Sequence, residues 1–249
     1  MTSVPVPGPR LEVVGVDALG TEVARLVLRH GEDPGARLAG LGWEVRRARD
    51  VSSEATDRHV LTMTFVVEAA VAGAPHAVVS FDPPGERRRD GDLVMAEGEV
   101  PQRYQRVSAH AFVTSSRGVL MTQFSDRTNA PGQWGPPGGG LEPREEPERA
   151  VLREVWEESG QVIEVRGLAL VQSRHWIGRA PGGRLEDFHA VRLVYRAACP
   201  EPTDPVVHDV GGTTASAAWM PVGNLELLEV TPGWRSVLRD VSNVDGRGA

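Results

Sequence analysis

Four glutamates and one arginine recur at fixed intervals between Gly139 and Gly160. The stretch reads Gly139, five residues, Glu145, seven residues, Arg153-Glu154-Val155, Trp156, Glu157-Glu158, Ser159, Gly160. On a helix, positions three and four apart stack over one another, so Glu154, Glu157 and Glu158 share one side. Carboxylates crowded in this way repel each other unless a cation sits among them. Oxygen donors of this hardness select Mg²⁺, with Mn²⁺ as the second choice, and both ions also bind phosphate oxygens. The chemistry implied is the handling of a phosphate chain with a divalent metal.

A helix over 147–159 must carry these groups. Pro147 stands in the first turn, where its missing N–H costs nothing. Gly160 lets the chain leave through a left-handed cap. At roughly 100° per residue, Val151, Leu152, Val155 and Trp156 are expected together on one face, beside the carboxylate face. Gly138, Gly139 and Gly140 precede the helix and allow close approach of backbone to a ligand, with free amides that can meet an anion. Arg153 lies off the centre of the metal face, and an ion pair with Glu145 is expected to pin the loop to the helix. Acidic surface helices are common. Seven specified identities at fixed spacing, however, occur by chance on the order of once in 10⁸ positions.

The rest of the chain divides into a small N-terminal α+β domain, 1–100, and a larger domain, 101–249. In the first, a strand over 11–16 leads to Asp17, read as the N-cap of a helix through 29. A short helix is expected over 36–41, then strands over 43–49 and 60–69 with a polar connection 50–59. One more strand is expected over 76–81, before a Pro, Gly and charge-rich linker over 82–92. In the second domain, 107–114 and 119–124 flank Ser115-Ser116-Arg117-Gly118, a hairpin signature. A Pro/Gly loop over 131–140 enters the helix. Strands follow over 162–172, 188–197 and 215–220, with a last helix over 232–241. The order lacks a regular βαβ rhythm, which favours a mixed sheet.

Composition narrows the function. The 249 residues carry a formal net charge of −7, the wrong sign for a general nucleic-acid or anionic-membrane binder. No apolar run is long enough to span a bilayer. Residues 1–10 have neither the basic nor the apolar region of a secretory signal, and a cytoplasmic enzyme is expected. A single cysteine, Cys199, excludes an internal disulfide and a multi-cysteine metal site. All 27 basic residues are arginine. Schiff-base, pyridoxal-phosphate and Walker-A chemistries need a lysine and are excluded. Cationic recognition of phosphate must come mainly from guanidinium groups, which can grip two oxygens at once.

The spaced residues resemble the Nudix box: glycine, five residues, glutamate, seven residues, Arg-Glu-hydrophobic, one residue, Glu-Glu, one residue, glycine, hydrophobic. The match holds at Gly139, Glu145, Arg153, Glu154, Val155, Glu157, Glu158 and Gly160. At the last place Gln161 stands for the hydrophobic residue and Val162 follows. The surroundings Trp134-Gly135-Pro136-Pro137 and Ala218-Trp219-Met220-Pro221-Val222 are also similar to a Nudix domain, over about 105–241. The resemblance implies an α/β/α sandwich with a mixed sheet and hydrolysis of a nucleoside diphosphate linked to another moiety. It further implies that Glu154, Glu157 and Glu158 bind Mg²⁺, with Glu157 or Glu154 helping to deprotonate the attacking water.

Members of that family often recruit one more acid from a loop across the cleft. Glu186 and Asp187 fit on an expected loop over 180–187, and Asp209 is a further candidate. Arg174, Arg179 and Arg184 could grip phosphates, and Trp176 could stack on a base. His189 and His110 read as packed strand histidines. The leading expectation is a Mg²⁺-dependent pyrophosphohydrolase for a nucleotide sugar, a dinucleotide or a nucleoside triphosphate. The alternative is a non-catalytic nucleotide sensor, against which the intact glutamate set argues. The N-terminal unit would cover the cleft, form a homodimer or shape substrate choice.

Overall fold

The structure is a computed structural model, and it describes residues 8–70, 88–89, 93–180, 182–231 and 233–238. Two compact units emerge from it. One comprises Met1–Ser108, Gly140–Pro147 and Leu170–Leu193; the other comprises Ala109–Gly139, Glu148–Ala169 and Val194–Ala249. The α+β class with a mixed sheet, expected from the element pattern, is the class observed.

The N-terminal residues build a four-stranded sheet from β1 (Arg10–Val16), β2 (Glu22–Leu28), β3 (Trp43–Ala55) and β4 (His59–Ala69), with α1 (Pro34–Ala39) between β2 and β3. The order is β2-β1-β4-β3, with β1 parallel to β4 and the outer pairs antiparallel. Period-two alternation buries Leu61, Met63, Phe65 and Val67 of β4 against Leu11, Val13 and Leu38. Asp33 caps α1 by accepting the Ala36 amide at 2.8 Å.

The helix expected over 17–29 is a correction. Asp17 does use its carboxylate on nearby amides, those of Leu19 and Thr21. It does so in a turn closed by Gly20 at φ +87, and the chain returns as strand β2. An Asx turn and a helix N-cap offer the same local chemistry, and the paired strand β1 decides between them. The stretch 50–59 is likewise mostly strand, because β3 runs on to Ala55 in register with β4. The strand expected over 76–81 lies outside the described residues. Within 82–92 only 88–89 are described, as the two-residue strand β5 (Arg88–Arg89).

The second sheet contains β5, β6 (Gln102–Ser115), β7 (Gly118–Phe124), β8 (Trp134–Gly135), β9 (Gly138–Gly140), β10 (Glu164–Arg179), β11 (Leu185–Ala198) and β12 (Thr214–Met220). Its path is β12-β7-β6-β11-β10-β5, with β8 on β7 and β9 on β6. The pairs β12–β7 and β6–β7 are antiparallel, and β10–β5 is parallel. Ser115 pairs with Gly118, which makes the expected hairpin turn. The loop over 131–140 contains β8 and β9 rather than being wholly irregular.

Helix α2 (Pro147–Ser159) follows β9, a 3₁₀ turn spans Val222–Leu227, and residues 233–238 form helix α3. Val151 and Val155 are fully buried, together with Ala150 and Ser159. Leu152 and Trp156, expected on one face with Val151 and Val155, are exposed, at 43% and 51%. The buried stripe is rotated toward Glu158, so a carboxylate rather than an indole points inward. Trp156 finds a surface partner and stacks on His208 at 4.5 Å.

Candidate active site

Helix α2 presents its three glutamates at graded depth. The Glu157 side chain is 36% exposed and that of Glu154 15%, whereas Glu158 is buried at 5%. Arg153 Nη1 lies among them, donating to Glu154 Oε1 at 3.0 Å and to Glu157 Oε2 at 3.1 Å. Glu145 precedes the helix and accepts the Glu142 amide at 2.8 Å. Gly160 leaves the helix at φ +67, its amide bonded to Trp156 O at 2.8 Å.

Glu158 is held from two sides. The Gly138 amide donates to its Oε2 at 2.9 Å, and the Thr214 hydroxyl of β12 donates to its Oε1. Burial pushes its carboxyl up to about 7; those two hydrogen bonds resist the rise, while the neighbouring charges of Glu154 and Asp209 add to it. A buried acid set among carboxylates has strong use for a cation. The donors are all hard oxygens, so the set suits Mg²⁺ or Mn²⁺ on chemical grounds. Gly139 sits hard against it: a Cβ there would lie 2.3 Å from Glu154 Oε1. Asp209 borders the same group, its amide donating to the Glu157 carbonyl at 3.0 Å. Asp209 is thus the acid outside the helix whose charge reaches Glu158.

The remaining candidates lie in the other unit. Glu186 and Asp187 were expected on a loop; both are buried residues of β11, which starts at Leu185. The turn between β10 and β11 is shorter than that loop, closed by the Ala180 amide on Arg184 O at 2.9 Å. Glu186 pairs with Arg184. Asp187 meets His175, and His30 Nε2 lies 3.4 Å from its Oδ1. Burial raises the Asp187 carboxyl, but these two histidines outweigh it and hold it below its ordinary value. Burial lowers His30, more than Asp187 restores. His189 is fully buried and pushed down to about 4, chiefly by burial. Trp176 packs at 4.5 Å on Phe188, so its ring already has an aromatic partner. Arg174 and Arg106 stand near Arg192, which burial, and then their charge, push down to about 10. Arg179 pairs with Glu99 at 2.7 Å.

The NUDIX domain model matches residues 104–241, more than half of the chain. The chain belongs to the Nudix family. Among curated proteins it is similar to nucleoside diphosphate-linked moiety X motif 6 of Mus musculus, 33% identical over 116 residues. That match covers 44% of this chain and 36% of the mouse protein. Diphosphoinositol polyphosphate phosphohydrolase 3-alpha of Mus musculus is 36% identical over 86 residues, covering 34% of this chain and 41% of that protein. The chain therefore spans about two fifths of the length of the curated relatives it matches. Among solved structures, a MutT NUDIX hydrolase from Burkholderia pseudomallei aligns with a TM-score of 0.43 and 28% identity, over 55% of this chain and 98% of that one.

The one departure from the Nudix box has a physical account. Gln161 is 2% exposed, and its Nε2 donates to Ser159 O at 3.1 Å and Thr203 Oγ1 at 3.0 Å. Its Oε1 accepts the Thr203 amide at 3.0 Å. A satisfied amide thus does the anchoring of a buried apolar residue, and Val162 is left 78% exposed. Cys199 is buried beside the same amide, Sγ 3.8 Å from Gln161 Oε1. Sequence reading missed Thr214, His30 and His175. Each is one polar residue in a segment without local pattern, and only the long-range fold gives it a partner.

Proposed function

We propose that this Nudix protein hydrolyses a phosphoanhydride bond, in a Mg²⁺-dependent reaction, in a nucleoside diphosphate linked to another moiety. The observation that carries this reading is Glu158, a buried carboxyl clamped by Gly138 and Thr214 beside Glu154 and Glu157. Burying a charged carboxylate beside two others is costly without a cation. Glu154, Glu157 and Glu158 would hold the metal. When bound, a divalent ion supplies neutralisation of the diphosphate and a lowered pKa for an attacking water.

The chain's own residues divide the remaining work. Glu157, the most exposed of the three glutamates, can take the proton of the water, with Glu154 next to it in the same role. Gly138, Gly139 and Gly140 would carry the loop to the phosphate; the space of their missing Cβ atoms is taken by Ala109 O, Glu154 and Arg106. Arg153 counters the glutamate charge, and a pairing of Glu145 with it would tie the loop to the helix. Arg174, whose charge reaches Arg192, would be a candidate cation for phosphate. Glu186 and Asp187, buried in β11, and Trp176, half-buried in β10, would act on the substrate only when released from Arg184, His175 and Phe188. The mouse relatives bear names for a nucleoside diphosphate-linked moiety and a diphosphoinositol polyphosphate, whose common element is the phosphoanhydride.

The test is product analysis by mass spectrometry with Mg²⁺ over nucleotide sugars, dinucleotides, nucleoside triphosphates and a diphosphoinositol phosphate. Cleavage at the diphosphate of one class, lost on chelation, is the expected outcome. Tight nucleotide binding with no product from any class would replace the enzyme by the sensor.

A further inference from the structure

We propose that His30, His175 and Asp187 form a second metal site, built from none of the Nudix-box residues and selective for a transition ion of the Zn²⁺ class. One ligand atom from each of the three lies within 4.8 Å of the others. His30 Nε2 is 3.4 Å from Asp187 Oδ1. A tetrahedral zinc with bonds of about 2.0–2.1 Å separates its ligand atoms by roughly 3.4 Å, so the His30–Asp187 spacing already suits an ion, and the direct His175–Asp187 contact would open to admit it. Two imidazoles and one carboxylate are a donor set that prefers zinc and its neighbours to magnesium.

The two histidines are presented, not merely packed. His30 Nε2 is buried and makes no hydrogen bond among the described residues, although the Asp187 carboxylate lies 3.4 Å away. A buried imidazole nitrogen of this kind is costly unless something binds its lone pair. Its loop is fixed on both sides. The Arg29 amide donates to Glu32 Oε2 at 2.8 Å, and Ser173 Oγ of β10 donates to Glu32 O at 3.1 Å. Gly31 takes φ +78, and any Cβ there would lie 2.7 Å from His175 Nδ1. Glycine at this point lets the His30 loop close over the His175 ring. His189 adjoins both rings and is no ligand, because its Nε2 lies 2.9 Å from Ser173 Oγ and its Nδ1 3.0 Å from Gln105 Oε1. The His30 and His175 side chains each keep 19% exposure, so an ion can reach the cluster from solvent.

The experiment follows zinc rather than turnover, so its result is independent of the proposed hydrolysis. Zn²⁺ is titrated into the full chain against a chromophoric chelator, with excess Mg²⁺ present to occupy the glutamates. A single tight equivalent is expected, unchanged in Glu157→Gln and weakened about 100-fold or more in His175→Ala. Equal affinity in wild type and His175→Ala overturns the site. X-ray absorption of the zinc-loaded wild-type chain decides without any variant. Two imidazoles in the coordination shell support the proposal; a shell of oxygen alone, as the glutamates would give, overturns it.

Discussion

Glu157 and Gly139 are where single atoms decide the proposed chemistry. Glu157→Gln keeps the shape of the side chain and removes a charge from a partly exposed helix position, so the fold should persist. Mg²⁺-dependent turnover should fall by about 10²-fold or more, since one charged oxygen donor carries several kcal/mol of catalysis. Near-wild-type turnover in a steady-state assay would remove Glu157 from the mechanism. Gly139→Ala acts by crowding. The added methyl would sit 2.3 Å from Glu154 Oε1, and that carboxylate is the part able to move. Displacement of a reacting group by about 1 Å costs roughly 10²-fold. Circular dichroism of Gly139→Ala should match wild type while turnover drops; unchanged turnover would mean that Glu154 need not sit where it does.

At the scale of elements, α2 and its glycines were legible because a helix repeats every few residues and its caps are local. The 17–29 segment was not, since an aspartate followed by apolar residues satisfies both a helix N-cap and an Asx turn into a strand. Pairing with β1 made the choice. The register of β3 on β4 carries its own testable consequence. His59 opens β4, is buried at 9%, and its Nε2 lies 3.0 Å from Ser53 Oγ of β3. Burial, and then the charge of Arg144, hold its imidazole below the ordinary 6.5. Above about pH 6.5 both folded and unfolded chains carry it neutral, and it contributes no pH dependence. As pH falls below that value the unfolded chain takes up the proton first, so stability declines until the folded form is protonated too. Urea unfolding at about pH 7.5 and about pH 5 should show the decline, and His59→Gln should make it smaller. An unchanged pH slope in His59→Gln would assign the decline to other groups.

For the whole molecule, the absence of lysine is a chemical constraint that survives folding. Every basic residue other than histidine is an arginine, so the proposed phosphate recognition should be sensitive to arginine reagents and indifferent to amine reagents. Phenylglyoxal should abolish the proposed hydrolysis, with at least about tenfold slower loss when substrate and Mg²⁺ are saturating. Inactivation at the same rate with and without substrate would place the reactive arginines away from the phosphate. Among the described residues no helix is long and apolar enough to cross a membrane.

The sequence by itself determined the Nudix family, the three glutamates and their glycine loop, and the arginine-only character of the cations. These are legible because they rest on contacts within a few residues or on composition, which need no knowledge of the fold. Only the tertiary structure decided that Glu158 is the buried member, clamped by Thr214 from 56 residues away. It also took Glu186 and Asp187 off a loop and into a strand, and joined Asp187 to His30 and His175. Those partners are far apart in the chain, and the sheet's register, which brings them together, is a property of strand pairing that no single segment encodes.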